Sequence, residues 1–310
     1  MKNNYKRILP LSFLCICLFF AGCTKEEATK VTLKNGTGQS ENGEKKEVLK
    51  IAVSAIISPK KTFVYYKDML DYISKKMDIP VELIQRDTYA EVNALVENKK
   101  ISAAFVCSGA YIDGKRDFGM ELLVAPMAYG QPFYHSYIIV PRNSKAKRLE
   151  DLKGKKFAFT DPMSNTGKLA PTYMIGKIGE KPESFFSDII YTNSHDKSIE
   201  AVARGIVDAA AVDSLIWDYA DATEPEFTSK TKVIIKSPPY GIPPVVIPAG
   251  MAPELKEKLR NILLNMHLDD EGRSILEKVK IDRFVRTEDS AYDSIREMQR
   301  FLNEKQGHNR

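Results

Sequence analysis

Thr160-Asp161-Pro162-Met163-Ser164-Asn165-Thr166-Gly167-Lys168-Leu169-Ala170-Pro171 joins two stretches of different character. Before it, Lys155-Lys156-Phe157-Ala158-Phe159 gives two charges and an apolar run, which predicts a buried strand. After it, Leu169 to Ile175 predicts a helix with Pro171 in its first turn. The strand-to-helix turn thus carries Ser164, Asn165, Thr166 and Gly167. The first N–H groups of a helix have no intrahelical partner, and the helix dipole adds partial positive charge there. Ser164 and Thr166 add O–H donors, and Gly167 lets a ligand approach the backbone. Such a turn suits a small oxyanion. An isolated Ser-x-Thr-Gly is more often an ordinary helix cap. Its strand–turn–helix setting, repeated downstream, favours the ligand reading.

Working outward, the same βα rhythm recurs on both sides. Strands are expected at Val48–Val53, Pro80–Ile84 and Ala103–Val106, with helices at Lys61–Met77 and Tyr89–Glu97 between them. This order implies right-handed crossovers and a parallel core. Further strands are expected at Leu122–Met127, His135–Val140, Gly154–Thr160, Asp188–Thr192, Asp208–Val212 and Val233–Lys236. The proline-rich Ser237 to Pro244 reads as a stiff return crossover, and three amphipathic helices follow from Pro253 onward. The expected fold is α/β: a two-lobed clamshell, each lobe a central, mostly parallel sheet flanked by helices. Lobe 1 would hold residues 48–140 and 245–310, lobe 2 residues 141–244, with hinges near 140 and 240. In lobe 2 three strand ends point at one cleft: Ser164/Thr166, Ser194/His195 and Asp213/Ser214.

The N-terminus has a basic start at Lys2, Lys6 and Arg7, an apolar run from Ile8 to Ala21, then Gly22 and Cys23. This pattern marks a secretory signal too short for a comfortable membrane span. Phe20-Ala21-Gly22-Cys23 resembles a bacterial lipobox, which implies removal of residues 1–22 and lipid on Cys23. Residues 23–47 are polar and read as a flexible tether. The protein is therefore expected to be exported and lipid-anchored, facing away from the cytoplasm. Of the four cysteines, only Cys107 then remains as a thiol, so no disulfide framework is expected. The formal charge of +5 falls further once the leader is lost, and no basic stripe with interleaved aromatics suggests nucleic acid.

Among the four histidines, His195 at a helix start is the candidate ligand donor. None shares metal-ligand spacing with another His or Cys, so neither a metal nor a cofactor is expected. Asp213 can cap the following helix. Its charge can also act: an ionised carboxylate only accepts hydrogen bonds. Beside an oxyanion it would select ligands that carry a proton, such as phosphonate, phosphite and phosphate, over sulfate. Tyr66 and Tyr134 are the aromatic candidates for the site.

The sequence resembles the substrate-binding proteins of phosphonate, phosphite and phosphate ABC importers, with a type II periplasmic binding fold. The resemblance covers roughly Val48 to Val285. It rests on Asp161-Pro162-x-Ser164-x-Thr166-Gly167-x-Leu169-x-Pro171, on Asn193-x-His195 followed by Ala201-Val202, and on Ser237-Pro238. It implies that Ser164, Thr166 and the Gly167 backbone grip the ligand oxygens, that His195 adds a donor, and that an aromatic near Tyr66 lines the organic side. It also implies an ABC permease as partner and a monomeric receptor rather than an enzyme. Where relatives that bind aminoalkyl phosphonates place an acid, this chain has Ile242-Pro243-Pro244, which argues against an ammonium-bearing ligand. Two other roles are compatible with the residues: a sensor domain feeding a membrane kinase, and an exported phosphate-ester hydrolase using Ser164 or Cys107. The second lacks a nucleophile elbow and a catalytic base.

Overall fold

The structure, a computed structural model, describes Val31–Thr32 and residues 48–307, with side chains from 48 to 305. The leader, Cys23 and nearly all of the expected tether lie outside the described residues. The chain begins with Val31–Thr32 (β1), Leu49–Val53 (β2), helix Pro59–Met77 (α1), Val81–Gln85 (β3), helix Tyr89–Glu97 (α2), Ala103–Phe105 (β4), helix Ser108–Phe118 (α3) and Glu121–Met127 (β5). Phe133–Tyr134 (β6) and Ser136–Pro141 (β7) lead onward to Lys156–Phe159 (β8), helices Ala170–Lys177 (α4) and Pro182–Phe185 (α5), and Asp188–Tyr191 (β9). Then come helix His195–Ala203 (α6), Ala209–Asp213 (β10), helix Ser214–Thr223 (α7) and Thr231–Lys236 (β11). Tyr240–Gly241 (β12) and Val245–Ile247 (β13) return the chain to helices Pro253–Asn265 (α8) and Asp270–Lys278 (α9), Arg283–Val285 (β14) and helix Asp293–Gly307 (α10).

Two sheets result, ordered β1-β3-β2-β4-β13-β5-β14 and β11-β7-β10-β8-β9. Strands β3, β2 and β4 run parallel, as do β10, β8 and β9, as βα units require. Antiparallel strands flank each parallel group: β13 lies between β4 and β5, and β7 between β10 and β11. Both faces of each sheet are covered. Ile51, Val53 and Leu83 pack with α1, α8 and α9 residues on one face of the first sheet, and Ala52 and Ala104 pack with α2 and α3 on the other. The second sheet is sandwiched between a Phe157/Phe159/Phe185 cluster and an Ile139/Val202/Val212 cluster.

The expected boundary at 140 falls one strand late. β7 is hydrogen-bonded into the second sheet, so the chain changes sheet before Ser136. The two crossovers pair with each other instead: Tyr134 faces Tyr240 and Phe133 faces Gly241 in a two-stranded antiparallel ribbon. The last helix, expected within lobe 1, contacts elements of both lobes. Phe301 of α10 meets Tyr173 of α4 at 5.0 Å, while Gln299 bonds Asp113 of α3.

Candidate functional site

The Ser164–Leu169 turn is helical and wide rather than a loop. Ser164 is the N-cap, its Oγ accepting from Gly167 N–H at 3.0 Å, and Asn165–Leu169 winds as a π-helical turn. Leu169 N–H reaches back to the Ser164 carbonyl, and Ala170 N–H to that of Asn165. Pro171 has no N–H to extend this ladder to the Thr166 carbonyl. That carbonyl accepts from Ser136 Oγ at 2.6 Å, and the Gly167 carbonyl accepts from Thr160 N–H at 3.1 Å. The turn is thus tied to β7 and to the end of β8. Gly167 has a packing reason to lack a side chain: a Cβ there would collide with Thr160 Oγ1 and lie 3.0 Å from His195 Cε1. Its N–H donates to Ser164 Oγ at 3.0 Å.

At the end of β9, Asn193 adopts a left-handed conformation at φ 63°, which asparagine tolerates, and Ser194 then opens α6 with His195 as its first residue. His195 is fully buried. Its Nδ1 accepts from the Asp213 backbone N–H at 3.0 Å and lies 3.1 Å from Thr160 Oγ1. An acceptor Nδ1 carries no hydrogen, so the neutral ring bears its proton on Nε2. Burial lowers the His195 pKa to about 3, which keeps the ring neutral. Asp213, 2% exposed, caps α7 through Oδ1, which accepts from Leu215 N–H at 2.8 Å. Burial pushes its carboxyl up to about 7.

Several buried polar atoms here have no hydrogen-bond partner among the described residues: Thr166 Oγ1, His195 Nε2, Asn165 Oδ1, Ser194 Oγ, Ser54 Oγ and Tyr89 OH. All sit at carboxyl ends of strands or at the helix starts just beyond them. A buried unpaired polar group costs about 1–3 kcal/mol, so such a cluster is unusual without a polar occupant. Ser54 ends the first expected strand, where ligands of such sheets sit, whereas Tyr89 was not singled out in the sequence. Tyr89 had a signal: the Thr88/Glu91 capping box makes it the first residue of α2, at the carboxyl end of β3. Desolvation raises the Tyr89, Tyr134 and Tyr66 phenols, and the Asp213 charge raises each further.

The other expected residues divide. Tyr66 and Asp213 wall a pocket between the lobes, and Tyr66 meets Phe105 edge-on at 5.0 Å. Tyr134 lies under the turn, its OH accepting from Asn165 Nδ2 at 3.1 Å. Cys107 accepts from Asn165 N–H at 3.4 Å, and burial raises its thiol to about 11, which suits a packing role better than a reactive one. No group of His, Cys, Asp and Glu among the described residues is arranged to hold a metal.

The lobes meet closely around this site. Asp196 accepts from Ser58 N–H at 2.9 Å and from Ser58 Oγ at 2.6 Å. His195 N–H reaches the Ile56 carbonyl at 3.0 Å, and Asp161 accepts from Tyr89 N–H at 3.1 Å. Glu224 binds both Lys61 at 2.9 Å and Tyr65 at 3.1 Å.

Several known proteins are similar to this chain. A probable phosphite-binding protein of an ABC transporter from Prochlorococcus marinus is 24% identical over 243 residues, spanning 74% of this chain and 82% of its own. The phosphonates-binding periplasmic protein of Escherichia coli is 26% identical over 237 residues, 75% of this chain and 70% of its own. The solved binding component of a Pseudomonas aeruginosa ABC phosphonate transporter superposes with a TM-score of 0.81 at 24% identity, covering 86% of this chain and 89% of that one. Residues 51–292 match the family of periplasmic substrate-binding proteins of phosphonate ABC transporters. With that match over most of its length, the chain belongs to this family of receptors, which bind their substrates and are not enzymes.

Proposed function

We propose that this protein captures a small phosphorus oxyanion (a phosphonate, phosphite or phosphate) between its lobes and delivers it to the permease of an ABC importer. On this reading it works as a monomer, held outside the cytoplasm by lipid on Cys23. The observation that carries the reading is the set of unpartnered buried donors, Thr166 Oγ1, His195 Nε2 and Tyr89 OH, at strand and helix ends, with Asp213 bonded through its backbone N–H to His195. Three neutral donors and one acid suit an anion that keeps a proton. The donors hold its oxygens, and a single proton bridges the remaining oxygen and Asp213. Among the described residues, Lys168 lies over the Phe159 ring at 3.9 Å and Lys61 is paired with Glu224, so neither is free to meet the head group. A dianion would therefore meet only neutral donors and a carboxylate.

Calorimetric titration of the purified protein with methylphosphonate, phosphite, phosphate and sulfate tests this. Stoichiometric binding of at least one phosphorus acid, with sulfate much weaker, is the expected result. Failure of all three phosphorus acids to bind overturns the reading.

A further inference from the structure

Asp213 lines a cavity of about 140 Å³ whose walls include none of the residues with unpartnered donors. Its walls are Tyr66 and Phe105 from lobe 1, Leu215 and Ile216 from α7, and Ile242 and Pro243 from the return crossover. Phe284 stands behind Phe105, with ring centres 6.4 Å apart. A dry cavity of about 150 Å³ lined by aliphatic and aromatic side chains accommodates a benzene ring in another protein. Besides Asp213, three charged residues reach the wall. Both oxygens of Asp196 accept from Ser58, Lys61 pairs with Glu224, and Lys280 is exposed. Asp213 is the remaining acid, and its Oδ1 is taken by Leu215 N–H.

We infer that the substrate carries an uncharged, apolar organic substituent on phosphorus, an alkyl chain of several carbons or an aromatic ring, lodged between Tyr66, Phe105, Leu215 and Pro243. This rests on the reading that the head group is a phosphorus oxyanion beside Asp213. Phosphite and phosphate would leave the apolar walls facing water. An aminoalkyl phosphonate would bury an ammonium against Leu215 and Pro243 with no unengaged acid within reach, and an unpaired buried charge is strongly disfavoured.

The test is calorimetric titration of the purified protein with phosphite, with methyl-, ethyl-, propyl- and phenylphosphonate, and with 2-aminoethylphosphonate, which matches propylphosphonate in size. Affinity should rise about fourfold per added methylene up to propyl. Phenylphosphonate should bind more tightly than methylphosphonate, and propylphosphonate at least a hundredfold more tightly than its amino counterpart. Leu215→Glu should narrow or reverse that last preference. A flat series, or an aminoethyl compound equal to propyl, would overturn this inference while leaving the head-group reading intact. Failure of every phosphorus acid to bind would overturn both.

Discussion

The backbone N–H of Asp213 donates to Nδ1 of His195 at 3.0 Å, so the residue that supplies the site's acid also sets the tautomer of its imidazole. The end of β10 thereby controls both halves of the site. It presents the carboxyl, and through the adjacent peptide it turns the His195 proton onto the unpartnered Nε2.

His195 should therefore act as a neutral donor throughout the working pH range. Its folded pKa, about 3, lies below its usual 6.5, so below 6.5 the unfolded chain binds the extra proton. Stability from this residue is complete above pH 6.5 and is lost as pH falls toward 3. His195→Gln removes that dependence. Between pH 6.5 and 4 the variant should gain on the wild type by up to ~1.4 kcal/mol per pH unit, read from urea unfolding curves. Parallel curves for the two proteins would mean that His195 is protonated in the fold.

Asp213 behaves in the opposite sense. Its carboxyl is raised from 3.8 to about 7, so the folded protein holds the extra proton, and stability falls as pH rises between those values. Binding should require one proton shared between Asp213 and the ligand. Affinity for methylphosphonate should accordingly drop roughly tenfold per pH unit above about pH 8. Asp213→Asn should flatten that decline and relax exclusion of sulfate more than it weakens phosphonate binding. Calorimetry across pH 6–9 reads both effects, and an unchanged sulfate preference in the variant would count against the role.

The two hydroxyls of the turn should part company. Ser164 Oγ caps Gly167 N–H, so Ser164→Ala should lower stability by about 1 kcal/mol. Thr166 Oγ1 has no partner, so Thr166→Val should leave stability near wild type and weaken binding ten- to a hundredfold. Thermal unfolding and titration of both variants separate the effects. Wild-type affinity in Thr166→Val would remove that hydroxyl from the site.

Gly109 of α3 lies close against the Met163–Asn165 turn of the other lobe. A Cβ there would strike the Met163 carbonyl oxygen and lie 3.0 Å from Asn165 N. Gly109→Ala should fold normally, since alanine favours a helix, but should hold the lobes apart. Affinity should fall at least tenfold. Solution scattering should show no contraction on adding ligand, where the wild type contracts. Contraction in both proteins would show that the contact does not limit closure.

Cys23→Ser should abolish lipid labelling and release the protein from membranes, as seen by fractionation. Retention of an uncleaved variant in the membrane fraction would identify the N-terminus as a plain anchor.

Much of the parallel core was legible because βα units leave local marks. The span of α2, from Tyr89 to Glu97, follows from its capping box and apolar spacing. The antiparallel insertion of β13 between β4 and β5 was not, because Val245–Ile247 is three apolar residues whose partners are set by a long return of the chain. The change of sheet was misplaced for a related reason. The pairing of β6 with β12 involves two residues on each side and joins positions over a hundred residues apart, leaving no local pattern. At the site, residues that announce a turn (Ser164, Thr166, His195, Asp213) could be named. Ser54 stands at a strand end and Tyr89 at a helix start, and only the fold reveals that their hydroxyls are buried without partners among the described residues.

The last helix gives the molecule a second attachment between its halves. The β6–β12 ribbon is one, and α10, lying across α3 and α4, is the other. A body fixed at one point can swivel in any direction, whereas one fixed at two points turns about the line through them. Opening is thereby reduced to a single rotational degree of freedom. On the proposed reading, a permease sensing the relative position of the halves would receive one coordinate, open or shut, from any bound ligand.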